Sequence, residues 1–197
     1  MNSFWELLRK NASSGEKLAQ FLEKIDLVVL LPELEILKKF NQNKNHHPEG
    51  ITVYDHVIAA LKSSTSCEPI TNLSVLFHDV GKALTAEISP NSSIEEPYYR
   101  FYNHDKYSKK PIENICSRFS VSEEEKECFI FCAENHMRFH SLTKMKGRKI
   151  KQLANHKFFN NLLVVCYCDE ICRGFPDFKQ KWEEKIERIG RYKNGSF

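Results

Sequence analysis

The stretch Leu73-Ser74-Val75-Leu76-Phe77-His78-Asp79-Val80-Gly81-Lys82 decides how this chain is interpreted. Residues 73–80 are mainly apolar, so they predict a buried helix, and Gly81 is expected to end it in the left-handed conformation that glycine adopts easily. The pair His78-Asp79 then brings an imidazole and a carboxylate into or beside the core. An isolated His-Asp pair is more often a hydrogen-bonded structural pair. A buried carboxylate is nevertheless costly unless it is paired or bound to a metal ion.

Two further polar residues lie on apolar predicted helices. His56 belongs to a helix over 53–61, and Asp169 follows the apolar run 162–168. Taken alone, His56 would be interpreted as a hydrogen-bonded core histidine, and Asp169 as a helix cap or a surface charge. Anomalies on three separate helices are explained more economically by one shared ion than by three causes. The sequence therefore predicts one metal site with these ligands: His56, His78, Asp79 and Asp169.

Two imidazoles and two carboxylates suit a divalent ion that serves catalysis and keeps positions open for water and substrate. Mg, Mn, Ni, Co, Fe and Zn all fit this description. The cysteines do not offer a competing zinc site. Neither the cluster of Cys166, Cys168 and Cys172 nor the pair Cys128 and Cys132 has the two-residue spacing of structural zinc sites, so we interpret them as reduced, buried and apolar.

Composition sets outer limits on function. A chain of 197 residues fits one domain, and 41% hydrophobic with 28% charged residues is typical of a soluble globular protein. The formal charge of +3 is far below that of a dedicated nucleic-acid binder, so phosphate affinity must be local. No apolar run spans a bilayer and residues 1–10 lack the pattern of a signal peptide. We expect a cytoplasmic protein with no membrane partner.

The apolar periodicity predicts an all-α fold, a helical bundle formed by a single domain over 1–197. One apolar stripe comprises Leu18, Phe21, Leu22 and Ile25, and another comprises Ile112, Ile115, Cys116 and Phe119. Capping boxes are expected at Ser3 with Glu6 and at Ser122 with Glu125. Pro32 suits the first turn of a helix reaching about residue 40, and Thr52 can cap another after a turn-rich stretch over 41–50.

The second half of the chain is predicted to be helical beyond a long polar loop over 82–103. The expected helices cover about 105–119, 123–137, 147–155, 160–173 and 177–191. Pro111 predicts a kink or a late start in the first of them. The core is placed at about 20–175, with the last helix added to it.

The order of the four ligands resembles the HD phosphohydrolase superfamily, whose members are all-α and hold a divalent ion with such groups. More narrowly, the chain is similar to the HD domain attached to bacterial tRNA nucleotidyltransferases, the CCA-adding enzymes. The matching stretches are Leu31-Pro32-Glu33-Leu34, His47-Pro48-Glu49-Gly50, Asp55-His56, Leu76-Phe77-His78-Asp79-Val80-Gly81-Lys82-Ala83-Leu84-Thr85, Asn103-His104, Glu134-Asn135-His136-Met137-Arg138-Phe139-His140 and Cys168-Asp169-Glu170-Ile171-Cys172-Arg173-Gly174. They span about residues 20–175.

This resemblance implies a metal-dependent phosphohydrolase that acts on a phosphomonoester or phosphodiester of a nucleotide or an RNA end. Members of that subgroup open 2′,3′-cyclic phosphates and remove 2′-phosphates. No acidic nucleotidyltransferase motif precedes residue 20, so we do not expect this chain to add CCA. The implied partners are a nucleotide or RNA-end substrate, tRNA, and a separate nucleotidyltransferase.

Three further histidines extend the candidate site. The resemblance implies that His104 and His136 hold a second metal ion or contact the phosphate, and His140 shares a helix face with His136. Many relatives have glycine where this chain has Asn103 and Ser108, which weighs against a second ion. The structural alternative for His136 and His140 is that they lie at the exposed end of a helix. His46 and His47 lie in a turn, where His47 would shape the cleft entrance.

Basic residues supply the remaining candidates. Lys82 lies at the expected start of the loop, where it either neutralises a phosphate oxygen or complements the dipole of the preceding helix. Residues 144–151 contain five basic side chains, which are either a solvated face or a surface that steers a phosphodiester. The candidate substrate-binding residues are Arg138, Lys144, Lys146 and Arg148.

The predicted mechanism is hydrolysis by water activated at the metal ion. Asp79 would orient or deprotonate this water, while Lys82, His104 and His136 offset charge in the transition state. Two alternatives stay open. One is a hydrolase of free nucleoside monophosphates or signalling nucleotides, and the other is a non-catalytic helical module that binds RNA or protein and keeps the metal site as a relic.

Overall fold

The computed structural model describes residues 2–193, and most of this part of the chain is helical, as predicted. The α-helices are α1 (Asn2–Asn11), α2 (Gly15–Leu22), α3 (Leu27–Leu30), α4 (Pro32–Glu35), α5 (Val53–Lys62), α6 (Pro69–Phe77), α7 (Lys82–Thr85), α8 (His104–Tyr107), α9 (Lys109–Arg118), α10 (Glu123–His140), α11 (Gly147–Ala154), α12 (Phe159–Ile171) and α13 (Phe178–Lys193). Short 3-10 helices cover Ile36–Lys39 and Leu142–Lys144, and the strands are β1 (Ala86–Ile88) and β2 (Tyr99–Phe101).

Helix α6 is the centre of the fold and packs against α5, α10 and α12. Every residue from Thr71 to Phe77 is buried. A helix that is apolar on nearly all sides is stable only where other elements cover it, which is the environment that these three helices provide. The turn carrying His78 and Asp79 follows directly, so the core fixes the position of this turn.

Three of the four helix starts predicted from a local signature are confirmed. Thr52 and Asp55 form a capping box at α5, and Ser122 and Glu125 form one at α10. Pro32 lies in the first turn of α4, which continues as a 3-10 helix to Lys39. The prediction of a capping box at Ser3 with Glu6 is wrong, because α1 already includes Asn2 and the exposed Glu6 side chain faces Arg9 instead.

The prediction for Gly81 is also wrong. Its φ of −65° and ψ of −19° are ordinary right-handed values, so it does not form a left-handed cap. Glycine is needed there for a different reason. A Cβ atom on residue 81 would lie 2.1 Å from the carbonyl oxygen of His104 and 2.5 Å from Ser108 Oγ. Gly81 therefore allows α8 to approach the metal-site turn closely.

The stretch 82–103 is not the long loop that was predicted. Lys82 begins α7, and β1 pairs antiparallel with β2 in the register Ala86↔Phe101 and Ile88↔Tyr99. The two strands are only three residues long, which is too short for a clear alternation of polar and apolar residues. The hairpin ends at Asn103, whose φ of 57° is the left-handed conformation that favours glycine.

The remaining helices of the second half were predicted with small errors in their ends. The expected helix 105–119 is divided at Ser108 into α8 and α9, and Pro111 lies in the first turn of α9, which confirms a late start. Helix α10 continues to His140, three residues beyond its expected end. Within residues 2–193, no helix is long and apolar enough to cross a membrane.

Candidate metal centre

The predicted metal ligands come from three elements that meet around α6. His56 lies in the first half of α5, His78 is the C-cap of α6, and Asp169 lies in the last turn of α12. Asp79 follows His78 in the tight turn before α7. All four side chains are buried, with at most 2% of any residue exposed. The packing of α6 against α5 and α12 is what brings these segments together.

The ligand atoms face one another at short distances. His56 Nε2 lies 3.0 Å from Asp169 Oδ1 and 3.6 Å from Asp79 Oδ2, and His78 Nε2 lies 3.3 Å from Asp79 Oδ2. One ligand atom from each of His56, His78 and Asp169 lies within 4.8 Å of the others. Three of the four expected ligands therefore face one another, and Asp79 lies beside two of them.

Hydrogen bonds fix the orientation of both imidazoles. His78 Nδ1 donates to the carbonyl oxygen of Val75 at 2.7 Å, and His56 Nδ1 lies 2.5 Å from Glu49 Oε1. With Nδ1 engaged in these hydrogen bonds, Nε2 is the nitrogen that each imidazole turns toward the site, and in a neutral ring it would present a lone pair there. Both Nε2 atoms are buried without a hydrogen-bond partner. Carboxylate oxygens cannot donate to them, so a cation between these groups would satisfy all of them.

The charge state of the carboxylates also fits a cation site. Burial opposes ionisation of Asp79, but His78 and Lys82 hold the pKa of its carboxyl well below the usual value. Burial likewise opposes ionisation of Asp169, but Arg173 and His140 hold the pKa of this carboxyl well below its usual value. The site therefore contains two charged carboxylates.

A second group of ligand atoms adjoins the first through the other oxygen of Asp79. Asp79 Oδ1 lies 3.2 Å from His104 Nε2 and 3.6 Å from His136 Nε2. The two Nδ1 atoms donate to the carbonyl oxygens of Phe101 and Ala133. The two Nε2 atoms are only 3.0 Å apart, and such a pair requires a proton or a cation between them. Burial lowers the pKa of His136 to about 4, so this ring is neutral.

His136 is not at an exposed helical end, because only 1% of it is accessible. His140 takes a different place from the one expected with His104 and His136. Its Nε2 lies 2.7 Å from Asp169 Oδ2 and its Nδ1 lies 3.0 Å from Glu170 Oε1. Although burial lowers the pKa of His140, the two carboxylates raise it to about 9. A doubly protonated ring suits a charged hydrogen-bond donor rather than a metal ligand.

Lys82 does not lie in a loop, and its ammonium group is buried rather than free at a helix end. The residue is 5% exposed, and its Nζ lies 2.7 Å from Asp79 Oδ2 and 2.9 Å from Gln42 Oε1. A buried ammonium between two oxygens is held in one position. It therefore presents a fixed positive charge beside Asp79.

Three residues of the site were not assigned a ligand or catalytic role from the sequence. Glu49 accepts from both His47 and His56, and Arg173 Nη2 lies 2.5 Å from Asp169 Oδ1. His47 and Arg173 line the site cavity, so the expectation for His47 at the entrance agrees with its position. Glu49 and Arg173 belong to the stretches that resemble the HD superfamily, but their roles depend on contacts between distant segments.

The cavity above these groups has a volume of about 300 Å³. Its lining is formed by His47, Asp79, Lys82, Phe101, Tyr102, His104, His136, Met137, His140, Asp169 and Arg173. Lys82 and Arg173 pair here with the carboxylates of Asp79 and Asp169. The cavity therefore combines the candidate ligands with cations that can bind an anionic substrate.

The candidate substrate-binding cations lie outside this cavity. Arg138, Lys144, Lys146 and Arg148 are exposed. Arg138 Nη1 donates to Asn135 Oδ1 at 2.7 Å, next to the site on α10. All seven cysteines are free thiols; Cys128, Cys132, Cys166 and Cys168 are buried as predicted, whereas Cys172 is only partly buried.

Fold and site together define a mostly helical protein with a buried His/Asp cluster able to hold a metal ion. Proteins similar to this chain are named "Multifunctional CCA protein". The one from Xanthomonas euvesicatoria is 25% identical over 76% of this chain, and the one from Shewanella frigidimarina is 25% identical over 83%. The one from Laribacter hongkongensis is 26% identical over 84%.

The matched region is a minor part of those proteins. It covers 36%, 39% and 40% of the three relatives, respectively. No protein-family model matches the chain.

Proposed function

We propose that this chain is a metal-dependent phosphohydrolase of the HD type, with residues 1–197 forming one HD domain. Its substrate is a phosphomonoester or phosphodiester of a nucleotide or an RNA end. The observation that carries the proposal is the pair of buried Nε2 atoms, on His56 and His78, that face carboxylates without a hydrogen-bond partner. Other buried atoms, such as Trp5 Nε1, also have no partner, but these two imidazole nitrogens each face a carboxylate, at 3.0 and 3.3 Å.

His56, His78, Asp79 and Asp169 would hold the divalent ion, and Glu49 and the carbonyl of Val75 orient the two imidazoles. Once bound, the ion lowers the pKa of water and polarises a phosphoryl oxygen. His104 and His136 are candidates for contacting the phosphate or a second ion. Both of these imidazoles lie close to Asp79 Oδ1, so Asp79 belongs to both groups of ligand atoms.

The residues of the chain supply proton transfer and charge stabilisation. Asp79, whose carboxylate pairs with Lys82 Nζ at 2.7 Å, orients the attacking water or accepts its proton. A bond forms between the water oxygen and phosphorus as the bond from phosphorus to the leaving oxygen breaks, and the proton then passes to that leaving oxygen. Lys82, with its fixed Nζ, stabilises the negative charge on the phosphoryl oxygens, and His104 and His136 add hydrogen bonds.

The relatives' name supports a substrate connected with RNA ends. We propose activity on 2′,3′-cyclic phosphates, 2′-phosphates or terminal phosphates, with the end of tRNA as a candidate and a separate nucleotidyltransferase as a candidate partner. The exposed cations Lys144, Lys146 and Arg148 would then steer the polyanion towards the site.

The test is hydrolysis of bis(p-nitrophenyl) phosphate and of a nucleotide panel by the purified chain with Mn²⁺, Ni²⁺, Mg²⁺ or Zn²⁺. We expect metal-dependent turnover that is lost in His78→Ala and Asp79→Ala while the far-UV circular dichroism is unchanged. Preference for 5′-monophosphates over 2′,3′-cyclic phosphates would favour the hydrolase of free nucleotides. Metal binding without turnover of any substrate would identify a non-catalytic module, and equal turnover in the variants would refute the site.

A further inference from the structure

A second cavity adjoins the candidate metal centre. It has a volume of about 260 Å³ and shares Met137 with the site cavity. Its lining is formed by Asp105, Met137, Arg138, Ser141, Met145 and Lys149. Because one side chain borders both spaces, a molecule that fills the metal-site cavity and extends past Met137 enters the second cavity next.

The second cavity has the charge of an anion site. Arg138 and Lys149 contribute two cations and Asp105 one carboxylate, which leaves a formal excess of one positive charge. Met145 lies within the stretch 144–151, which holds five basic residues. In the described part of the chain none of these five forms an ion pair, whereas the exposed Lys157 does so, with Glu127. Their charge is therefore available to a partner.

The wall that carries these cations is held in place by α13. Arg188 donates from Nη2 to the carbonyl oxygen of Met145 at 2.8 Å and from Nε to that of Leu142 at 3.2 Å. At the start of α11, Gly147 lies so close to Tyr192 that a Cβ atom would be 2.2 Å from the ring. On the opposite helix, Asn135 accepts from Arg138 and orients its guanidinium. Both cations thus lie on a supported surface.

We propose that the second cavity is a subsite for the phosphate that neighbours the one being cleaved, so that the substrate is the end of a single-stranded polynucleotide. This inference rests on the proposed function, because the metal centre supplies the cleavage. A guanidinium binds phosphate oxygens through two parallel hydrogen bonds, and an ammonium adds a point charge. Met137, which is 39% exposed between the two cavities, offers apolar surface to the sugar or base that links the phosphates.

A mononucleotide has no second phosphate, so the subsite separates the two substrate classes. The experiment compares an RNA trinucleotide ending in a 2′,3′-cyclic phosphate with a nucleoside 2′,3′-cyclic phosphate, both by kcat/KM. The variants are Arg138→Gln, Lys149→Gln and the double variant. Lys126→Gln is the control, because it removes a partly exposed charge from the far end of the same α10 helix.

We expect the double variant to lose about tenfold or more in kcat/KM on the trinucleotide, which is the effect of a lost charged contact, and to keep its rate on the mononucleotide. The plot of log(kcat/KM) for the trinucleotide against log[salt] should become shallower in slope by about 0.7 for each phosphate contact that the variant loses. Equal losses on both substrates, or no loss on either, would overturn the proposal.

Binding is measured separately, so that the subsite can fail independently of the hydrolase. Fluorescence anisotropy with a labelled RNA trinucleotide 3′-phosphate should show about tenfold weaker binding to the double variant and no change for Lys126→Gln. That result would support the subsite even if the parent hydrolysed none of the substrates. Unchanged trinucleotide binding in the double variant would overturn the subsite whatever the hydrolytic activity.

Discussion

Glu49 should control the metal affinity of the site although it is not one of the four ligands. Its Oε1 atom lies 2.5 Å from His56 Nδ1 and 2.9 Å from His47 Nδ1, and only 4% of its side chain is exposed. Burial opposes ionisation of this carboxyl, but the hydrogen bonds from the two histidines hold its pKa below the usual value. The resulting negative charge makes the opposite nitrogen of His56 a stronger ligand.

The expected magnitude follows from what each substitution removes. Losing an outer-shell partner typically lowers metal affinity by about 10–100-fold, which corresponds to about 1.4–2.8 kcal/mol. Glu49→Gln keeps one acceptor oxygen and loses the charge, so we expect a weakening near the lower value. Glu49→Ala also leaves His56 Nδ1 unsatisfied in the core, so we expect the higher value and about 1–3 kcal/mol of lost stability.

Competition titration against a chromophoric chelator, with Mn²⁺ or Zn²⁺, measures these affinities. Glu87→Gln serves as the control, because Glu87 is an exposed carboxylate whose ion-pair partner is Arg100 rather than a histidine of the site. It should bind metal as the parent does. If Glu49→Gln and Glu49→Ala both kept the parent affinity, the proposed role of Glu49 in orienting His56 would be refuted.

Four further predictions test other parts of the account. Removing divalent ions with a chelator should lower the free energy of unfolding by about 2.7 kcal/mol relative to saturation at 100 times Kd, or about 5–10 °C in Tm, and an unchanged Tm would contradict a metal site. Lys82→Ala should reduce kcat about 100-fold in the hydrolysis assay without loss of helical content, whereas a parent-like kcat would remove its catalytic role. Gly81→Ala should lower the free energy of unfolding in denaturant by about 1–3 kcal/mol, because its Cβ atom would collide with α8. The control Gly190→Ala, in open space on α13, should be neutral or stabilising. Equal stability of the two variants would contradict the close approach of α8 to residue 81. A thiol reagent added to the native chain should modify Cys67 rapidly and Cys168 slowly. Cys67 is exposed, whereas burial raises the pKa of Cys168 to about 12. Rapid modification of both thiols would contradict the burial of Cys168.

Local signals in the sequence were sufficient for most of the helices. The boxes at Thr52 and Ser122 depend on residues only three apart, so the contacts that define them are local in the sequence. The apolar run before His78 likewise indicated a buried helix, because few polar residues interrupt it. This also explains why the four candidate ligands could be selected: each is a polar group in surroundings that are otherwise apolar.

The errors lie where distant segments meet. Gly81 resembled a helix cap, but its role is set by the backbone of His104, more than twenty residues away in sequence. The hairpin of β1 and β2 was missed because its strands are stabilised by pairing with each other rather than by a long alternating pattern. Glu49 and Arg173 gain their positions only when the turn before α5 and the end of α12 close around the site.

The most direct test of the metal centre is the metal content of the purified chain and of its His78→Ala and Asp169→Asn variants after equilibration with a limiting divalent ion. Elemental analysis should find about one ion per parent chain, or two if the second cluster also binds, and strongly reduced content in both variants with unchanged circular dichroism. A parent chain that retains no ion, or variants that retain as much as the parent, would contradict the claim that these buried side chains bind one cation.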